Sequence, residues 1–133
     1  MADELRLPVA SDSDVILVRQ RGKELAAEHG FSIGDQTVIA VAISEIARNI
    51  VRYAQRGEIA LRAVNHGNRT GITVVARDDG PGIVDLPLAL QDGYSTSGGL
   101  GLGLPGARRL MDEFEIQSAK GQGTIVTMRK WRT

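Results

Sequence analysis

Apolar and small residues recur every three to four positions between residues 11 and 29. This spacing places them on one face of a helix. Ser11 and Asp14 stand at the start of the segment with the spacing of a capping pair, and Gly30 is typical of a residue that follows a helix end. The sequence therefore predicts a first helix over 11–29. Its predicted buried face comprises Val15, Val18, Gly22, Leu25 and Ala26.

A second, longer helical pattern covers residues 33–54. Ser32 precedes it with Asp35 three positions on, which again suits a helix start, and Gly57 follows its end. The predicted buried face comprises Ile39, Ala42, Ile43, Ile46, Ile50 and Tyr53, and the small or apolar residues Ala40, Ala47, Val51 and Ala54 occupy much of the other side.

Five further segments have the character of β-strands, and one more has that of a helix. Pro8 restricts the first strand to a sheet edge. The order of elements predicts an α+β fold: a two-layer sandwich with three helices packed on one face of a mixed, mostly antiparallel sheet, in a single domain over 1–133. The strands are predicted at 4–9, 58–64, 71–77, 114–119 and 124–131, and the third helix at 104–113.

Composition excludes several classes of protein. Lys and Arg together number 16, as do Asp and Glu, so the formal net charge is zero. This argues against a nucleic-acid-binding protein that neutralises phosphates, because such a protein has a basic surplus. The absence of cysteine excludes disulfide scaffolds, thiolate metal sites and cysteine nucleophiles. No apolar run approaches the ~18 residues of a membrane span, and the N-terminal sequence is unlike a signal peptide. We therefore expect a cytoplasmic protein with no nucleic-acid or membrane partner.

Glycine is concentrated in one part of the chain. It supplies 16 of the 133 residues, and eight of these lie between Gly80 and Gly106. Residues 78–107 also contain four aspartates and no lysine or arginine. A local concentration of glycine indicates a requirement of the backbone, so a binding site is expected here.

A strip of polar residues interrupts the apolar pattern of the second helix. Glu45 and Asn49 are four positions apart, so their side chains extend in the same direction from adjacent turns. A carboxylate and an amide oxygen so placed suit a general base and a Mg²⁺ ligand. The alternative is a solvated strip in which Glu45 contacts Arg48 or Asn49. The strip comprises Ser44, Glu45, Arg48, Asn49 and Arg52.

Asp78 directly follows an apolar strand and precedes Gly80 and Gly82. A carboxylate at a strand end, with glycines that let the backbone approach closely, suits the edge of a flat ligand whose exocyclic amine donates to Asp78. The alternative is an acidic β-turn, in which Asp, Pro and Gly are ordinary residues.

Alternating glycines in 97–106 run into the third predicted helix. Such a run leaves several amide N–H groups free at a helix N-terminus, where an anion such as phosphate is favoured. Gly101, Gly103 and Gly106 have the spacing of a dinucleotide-binding fingerprint, but neither the preceding strand nor the later acidic residue is present. The lysine-containing phosphate-binding loop of P-loop NTPases is also absent from the sequence.

These motifs, in this order, resemble those of the ATP-binding superfamily that contains gyrase-type ATPases, the chaperone Hsp90, sensor histidine kinases and bacterial anti-sigma serine kinases. The resemblance covers residues 10–131 and implies the Bergerat-type ATP-binding fold. The matching positions are Glu45 and Asn49 in the N box, Asp78, Gly80 and Gly82 in the first glycine box, Gly99, Gly101 and Gly103 in the second, and Thr124 as the threonine near the adenine-binding Asp.

The length of the chain and its sequence at 44–50, 92–101 and 110–114 resemble the anti-sigma-type serine/threonine protein kinases, and among them the switch kinases of the stressosome. The resemblance implies a kinase that uses ATP and Mg²⁺ to phosphorylate STAS-domain scaffold or antagonist proteins in a partner-switching stress pathway. Once released, such a kinase activates a PP2C-type phosphatase. The alternative is an anti-sigma factor that sequesters an RNA polymerase sigma factor and phosphorylates its antagonist. A third interpretation is a nucleotide-binding module without transfer activity.

The resemblance also implies a role for each matching position. Glu45 orients or deprotonates the incoming hydroxyl, Asn49 binds Mg²⁺, and Asp78 accepts a hydrogen bond from the adenine amino group. Residues 84–98 form a lid. The residues implied in ATP binding are Asn49, Asp78, Gly80, Gly82, Ser97, Gly99, Leu100, Gly101, Leu102, Gly103 and Thr124.

The lid departs from many relatives because it contains no Lys or Arg. The phosphate charge is then expected to be neutralised by Mg²⁺, by the helix N-terminus, or by a cation from Arg48, Arg108 or a partner protein. Low activity of the isolated chain is the expected consequence.

Overall fold

The computed structural model describes residues 4–81, 103–119 and 121–133. Within these ranges five strands and three helices follow one another in the predicted order. They are β1 (Leu5–Val9), α1 (Asp12–Glu28), α2 (Ile33–Tyr53), β2 (Gly57–His66), β3 (Arg69–Asp78), α3 (Gly103–Leu110), β4 (Glu113–Ser118) and β5 (Thr124–Trp131).

The strands form one sheet in the order β1-β2-β3-β5-β4. Every strand pair in the described ranges is antiparallel. The predicted antiparallel character of the sheet is therefore confirmed, and the described strands show no parallel pair of the kind that a mixed sheet would contain. The chain reaches β5 last and inserts it between β3 and β4, which brings the C-terminal strand next to the end of β3.

The starts of α1 and α2 confirm the predicted caps. The Ser11 hydroxyl accepts from the Asp14 N–H at 3.3 Å, and the Ser32 hydroxyl accepts from the Asp35 N–H at 3.1 Å. Each bond satisfies one of the N–H groups that a helix start leaves without an intrahelical partner. Gly30 follows α1 with φ +79°, a left-handed conformation that ends a helix at little cost for glycine.

Alternate residues of the strands face the helices and form the core with them. Leu61 lies opposite Val74, and Val74 lies opposite Met128, so these side chains form one fully buried row across three strands. Val18 of α1 and Ile43 of α2 are also fully buried and belong to the same core. The two-layer arrangement is therefore confirmed.

The opposite face of the sheet has no helix on it among the described residues, and long side chains cover part of it. The guanidinium of Arg69 lies 4.1 Å from the ring centroid of Trp131, and Arg129 Nε donates to Thr73 Oγ1 at 2.9 Å. Glu113 accepts from both Arg129 and the Trp131 indole N–H.

Two sequence predictions about the helices are wrong. The third helix ends at Leu110 and not at 113, because the Asp112 N–H donates to the Arg129 carbonyl and Glu113 already pairs with Arg129 in the sheet. Tyr53 was placed on the buried face of the second helix, yet it is 47% exposed, since α2 ends there and projects beyond the core.

Gly22 of α1 packs directly against Ile43 of α2. A Cβ atom at this position would lie 2.2 Å from Ile43 Cδ1, a side chain with no exposed surface. We expect Gly22→Ala to destabilise the protein by about 1–2 kcal/mol, because overpacking of about 1–3 kcal/mol exceeds the gain in helix propensity. Gly34→Ala is the matched control, since its Cβ meets only Ser32 Oγ at 3.9 Å, and it should be neutral or stabilising. Equal urea midpoints for the two variants would contradict this packing.

None of the helices in the described ranges is both long enough and apolar enough to cross a bilayer.

Candidate functional site

Glu45 lies in the middle of α2 and is 7% exposed. Arg48 Nη1 donates to its Oε1 at 2.8 Å, and the backbone N–H of Gly103, at the start of α3, donates to its Oε2 at 2.7 Å. The contact with Arg48 confirms part of the alternative interpretation, but a solvated strip is wrong at this position. A buried carboxylate requires such donors, because burying an unpaired charge is costly.

The rest of the predicted polar strip is divided between the core and the surface. Ser44 is 3% exposed and its hydroxyl donates to the Ala40 carbonyl at 2.9 Å, so it belongs to the helix interior. Asn49, one turn after Glu45, is half-buried, and Arg52 is exposed. The side chain of Asn49 extends from the same face as Glu45.

Asp78 is the last residue of β3 and lies opposite Thr124, the first residue of β5. The Gly80 N–H donates to Asp78 Oδ1 at 2.9 Å. Thr124 is 6% exposed, and its hydroxyl lies 2.7 Å from the Ser118 hydroxyl. The Ser118 hydroxyl donates to the Gly123 carbonyl at 3.0 Å. The predicted proximity of Asp78 and Thr124 is therefore present in the fold.

These positions belong to one row that crosses the whole sheet on its helix-covered side. The sheet register places the members of the row directly opposite one another on successive strands. They are Val9, Gly57, Asp78, Thr124 and Ser118.

The environment of Asp78 opposes its ionisation. Burial raises the pKa of the Asp78 carboxyl above its usual value of 3.8, and the charge of Asp79 raises it further. The backbone N–H groups of Gly80 and Thr124 act in the other direction because they stabilise the charged form. A ligand donor such as an exocyclic amine would add a further bond to the charged carboxylate.

Glycines bring the backbone around Asp78 into close contact. A Cβ on Gly80 would lie 2.6 Å from the Ala54 Cβ, and a Cβ on Gly123, which has φ +79°, would lie 2.1 Å from the Asp78 carbonyl oxygen. The turn after β3 is therefore fixed against the end of α2, and the turn before β5 is fixed against Asp78. Substitution at either glycine would displace Asp78 from Thr124.

Two residues of this region were not assigned to the site from the sequence. Gly57 was taken only as the residue beyond a helix end, yet its Cβ would lie 2.3 Å from the Arg77 carbonyl oxygen and 3.1 Å from the Asp78 Cβ. Ser118 was placed in a strand without a role, and it contacts Thr124. A glycine at the start of a strand was a usable signal for Gly57, whereas no local feature of the sequence marked Ser118.

Asp78 and Asp79 form part of the wall of an open cavity of about 570 Å³. The other walls come from the end of α2 and the adjoining ends of the first three strands. The remaining lining residues are Pro8, Val9, Ala10, Ala54, Arg56, Gly57, Glu58 and Arg77. Asp78 is therefore accessible from solvent although much of its surface is covered.

The described residues include no group of three or more His, Cys, Asp or Glu that could hold a metal ion. A Mg²⁺ ion held by the amide oxygen of Asn49 would take further oxygen ligands from water and from phosphate. Mg²⁺ is commonly bound in this way, with few protein ligands.

Six of the implied ATP-binding residues and the predicted lid at 84–98 lie outside the described residues. Those six are Gly82, Ser97, Gly99, Leu100, Gly101 and Leu102. Gly103 is described, with φ +65°, and its N–H donates a hydrogen bond to Glu45 Oε2. In this arrangement Gly103 contacts the proposed base directly, which the sequence did not predict.

Comparisons with known proteins agree with this geometry. A family described as the histidine kinase-like ATPase domain matches residues 9–130. The chain is 45% identical to the serine/threonine-protein kinase RsbT of Bacillus subtilis over 131 residues, 98% of each protein, and 32% identical to an anti-sigma F factor of a Thermoanaerobacter species over 112 residues, 80% of this chain and 77% of that protein.

Solved structures share the fold. A Mycobacterium tuberculosis protein with RsbU and RsbW domains superposes with a TM-score of 0.63 at 24% identity, and the match covers all of this chain and 33% of that one. A mycobacterial sensor histidine kinase superposes with a TM-score of 0.56 at 16% identity over 99% of this chain and 98% of that chain.

Proposed function

Because the chain belongs to the histidine kinase-like ATPase domain family, we propose that it is an ATP-dependent serine/threonine protein kinase that acts by partner switching. The observation that carries the proposal is the buried carboxylate of Glu45, held by Arg48 and by the start of α3, on the same helix as Asn49. High identity to a named serine/threonine-protein kinase over nearly the full length of both chains supports it.

The described residues suggest a separate role for each side chain of the site. Asp78 would accept a hydrogen bond from the adenine amino group, with Thr124 beside it, and Asn49 would contribute an oxygen to Mg²⁺. Glu45 would orient the serine or threonine hydroxyl of the protein substrate and take its proton. The hydroxyl oxygen then bonds to the γ-phosphorus as the bond to the β-phosphate oxygen breaks, and ADP leaves. Mg²⁺ would supply neutralisation of phosphate charge.

The substrates that we propose are STAS-domain scaffold or antagonist proteins, and the released kinase would activate a PP2C-type phosphatase. The single domain over 1–133 would contain the whole nucleotide site. Residues 78–107 carry four aspartates and no lysine or arginine, and Arg48 is already paired with Glu45. A cation from the bound partner would complete the charge balance of the phosphates.

We expect Mg-ATP to phosphorylate a STAS-domain protein in the presence of this chain. Without the STAS protein water is the only phosphoryl acceptor, and ATP hydrolysis should be at least about tenfold slower, since both the acceptor hydroxyl and the partner's charge contact at the phosphates are missing. Mass spectrometry of the STAS protein would identify the modified serine or threonine. EDTA should abolish the transfer, because removal of Mg²⁺ leaves the phosphate charge without the neutralisation that the ion would supply.

Two results would count against this scheme. Equal ATP turnover with and without the STAS-domain protein would show that the isolated chain needs no cation from a partner. ATP binding with no transfer to any STAS protein would favour a nucleotide-binding module.

The second candidate function is an anti-sigma factor, favoured by the 32% identity to an anti-sigma F factor. Purification of the chain with its bound partners separates the two. Recovery of an RNA polymerase sigma factor would support the anti-sigma interpretation, and recovery of STAS-domain scaffolds would support the switch kinase.

A further inference from the structure

Arg48 lies one helical turn after Glu45 on α2 and pairs with it. Its Nη1 is 2.8 Å from Glu45 Oε1, and the exposed fractions of the two side chains are 37% and 8%. From sequence, Arg48 was one of two arginines, with Arg108, that could neutralise phosphate. In the structure its guanidinium instead pairs with the buried carboxylate of Glu45.

The second oxygen of Glu45 is held from a different part of the chain. The Gly103 N–H donates to Oε2 at 2.7 Å from a position 58 residues later. Donors from α2 and from the start of α3 therefore hold the two ends of the carboxylate group. This arrangement fixes the plane of the group, while each oxygen retains a lone pair that can accept a substrate proton.

We propose that Arg48 is a positioning residue for phosphotransfer and that it acts through Glu45. The inference rests on the proposed function. Arg48 holds Oε1 so that the carboxylate presents a free lone pair to the substrate hydroxyl in one orientation. The proton passes from that hydroxyl to Glu45, and Arg48 contacts neither the hydroxyl nor the phosphate.

The burial of Glu45 explains why Arg48 stays with it. If the guanidinium moved to a phosphate, a carboxylate with 8% of its side chain exposed would lose its countercharge. Removal of one partner from such a buried pair is strongly unfavourable. Arg48 itself is more than a third exposed, so its own desolvation in the pair is incomplete.

The test is a double-mutant cycle on the full chain with Mg-ATP and a STAS-domain protein. Arg48→Met, which keeps the aliphatic stem, should lower kcat for transfer roughly 10- to 100-fold, the effect of a misoriented catalytic group. The affinity for ATP should change by less than about twofold, since Arg48 does not touch the nucleotide. Arg48→Lys should recover most of the rate because it restores the charge beside Oε1.

The cycle is completed in the Glu45→Gln background. There, Arg48→Met should cause no further loss of transfer, because a residue that acts only through Glu45 has nothing left to position. Arg62→Met, an exposed arginine on the opposite face of the sheet, is the matched control and should leave the rate unchanged. Thermal midpoints of all variants show whether a loss of rate reflects unfolding.

Three outcomes would overturn the positioning role. The first is a loss of ATP affinity of tenfold or more in both backgrounds, which would place Arg48 on the phosphates. The second is a loss from Arg48→Met that multiplies with that from Glu45→Gln. The third is a rate loss in Arg48→Met that matches its loss of folded protein while Arg48→Lys recovers nothing. Absence of transfer by the unaltered chain overturns the proposed function itself, and so is distinguishable from all three.

Discussion

Asp78→Asn is expected to reduce the affinity for ATP, measured by calorimetry, by roughly 100-fold or more. The Oδ1 atom of Asp78 already accepts from the Gly80 N–H. An asparagine keeps its carbonyl oxygen for that bond, so its NH₂ group takes the place of Oδ2. Two donors, the NH₂ and the adenine amino group, would then face each other in a partly buried site.

Asp79→Asn is the matched control for this experiment. Asp79 is the neighbouring residue, is exposed, and carries the same charge. Its substitution should leave ATP binding intact or slightly improved, because one negative charge is removed from a protein that binds a polyanion. Wild-type affinity in Asp78→Asn would refute the adenine assignment, and equal losses in the two variants would show that net charge alone is responsible.

The stability of Asp78→Asn without nucleotide should equal or exceed that of the unaltered protein at neutral pH. The pKa of Asp78 is raised in the folded state, chiefly by burial, so the folded protein holds this proton more firmly than the unfolded chain. Asp78 therefore costs stability as the pH rises from about 3.8 through the raised value, and the full cost is present above it. Asparagine removes that cost. A lower thermal midpoint at pH 7 would contradict this result.

Glu45→Gln is expected to leave ATP affinity within about twofold of the original and to lower the rate of phosphotransfer ~10²–10⁴-fold, the usual effect of losing a general base. Glutamine retains the shape of the side chain and one acceptor oxygen, while its NH₂ group faces the other of the two donors, at a site that does not contact the nucleotide in the proposed scheme. Alanine would also remove the support of the Gly103 N–H, so its effect on rate would combine chemistry with displacement of α3.

Single-turnover transfer to a STAS-domain protein, with ATP binding measured separately, tests the role of Glu45. Glu115→Gln is a suitable control, since Glu115 is an exposed residue of β4. Retained transfer in Glu45→Gln would show that Glu45 is not the base. A parallel loss of ATP affinity would instead place Glu45 in the nucleotide site.

The local parts of the fold were predictable because their causes are local. Ser11 and Ser32 cap helices through backbone groups three residues away. The end of α3 was not predictable, because pairing of Glu113 with Arg129 in the sheet competes with helix continuation, and Arg129 lies 16 residues further along. Tertiary contact overrides helix propensity at such boundaries.

Some proximities among the candidate residues were predictable from the sequence, but their contacts were not. The spacing of Glu45 and Asn49 followed from helix geometry, and the pairing of Asp78 with Thr124 followed from the resemblance. The bond between Glu45 and Gly103 joins α2 to α3 across 58 positions, and no periodicity reports a contact of that range. Burial of Glu45 likewise depends on α3, which packs against α2.

The insertion of β5 between β3 and β4 determines when the proposed nucleotide site can form during synthesis. A nascent chain that has left the ribosome only as far as residue 119 holds Asp78 and the end of α2, but the strand that supplies Thr124 is still missing. Contacts between distant parts of the chain form late and slowly. The residues after 119 thus complete the proposed adenine site, because a chain interrupted there lacks the strand that places Thr124 beside Asp78.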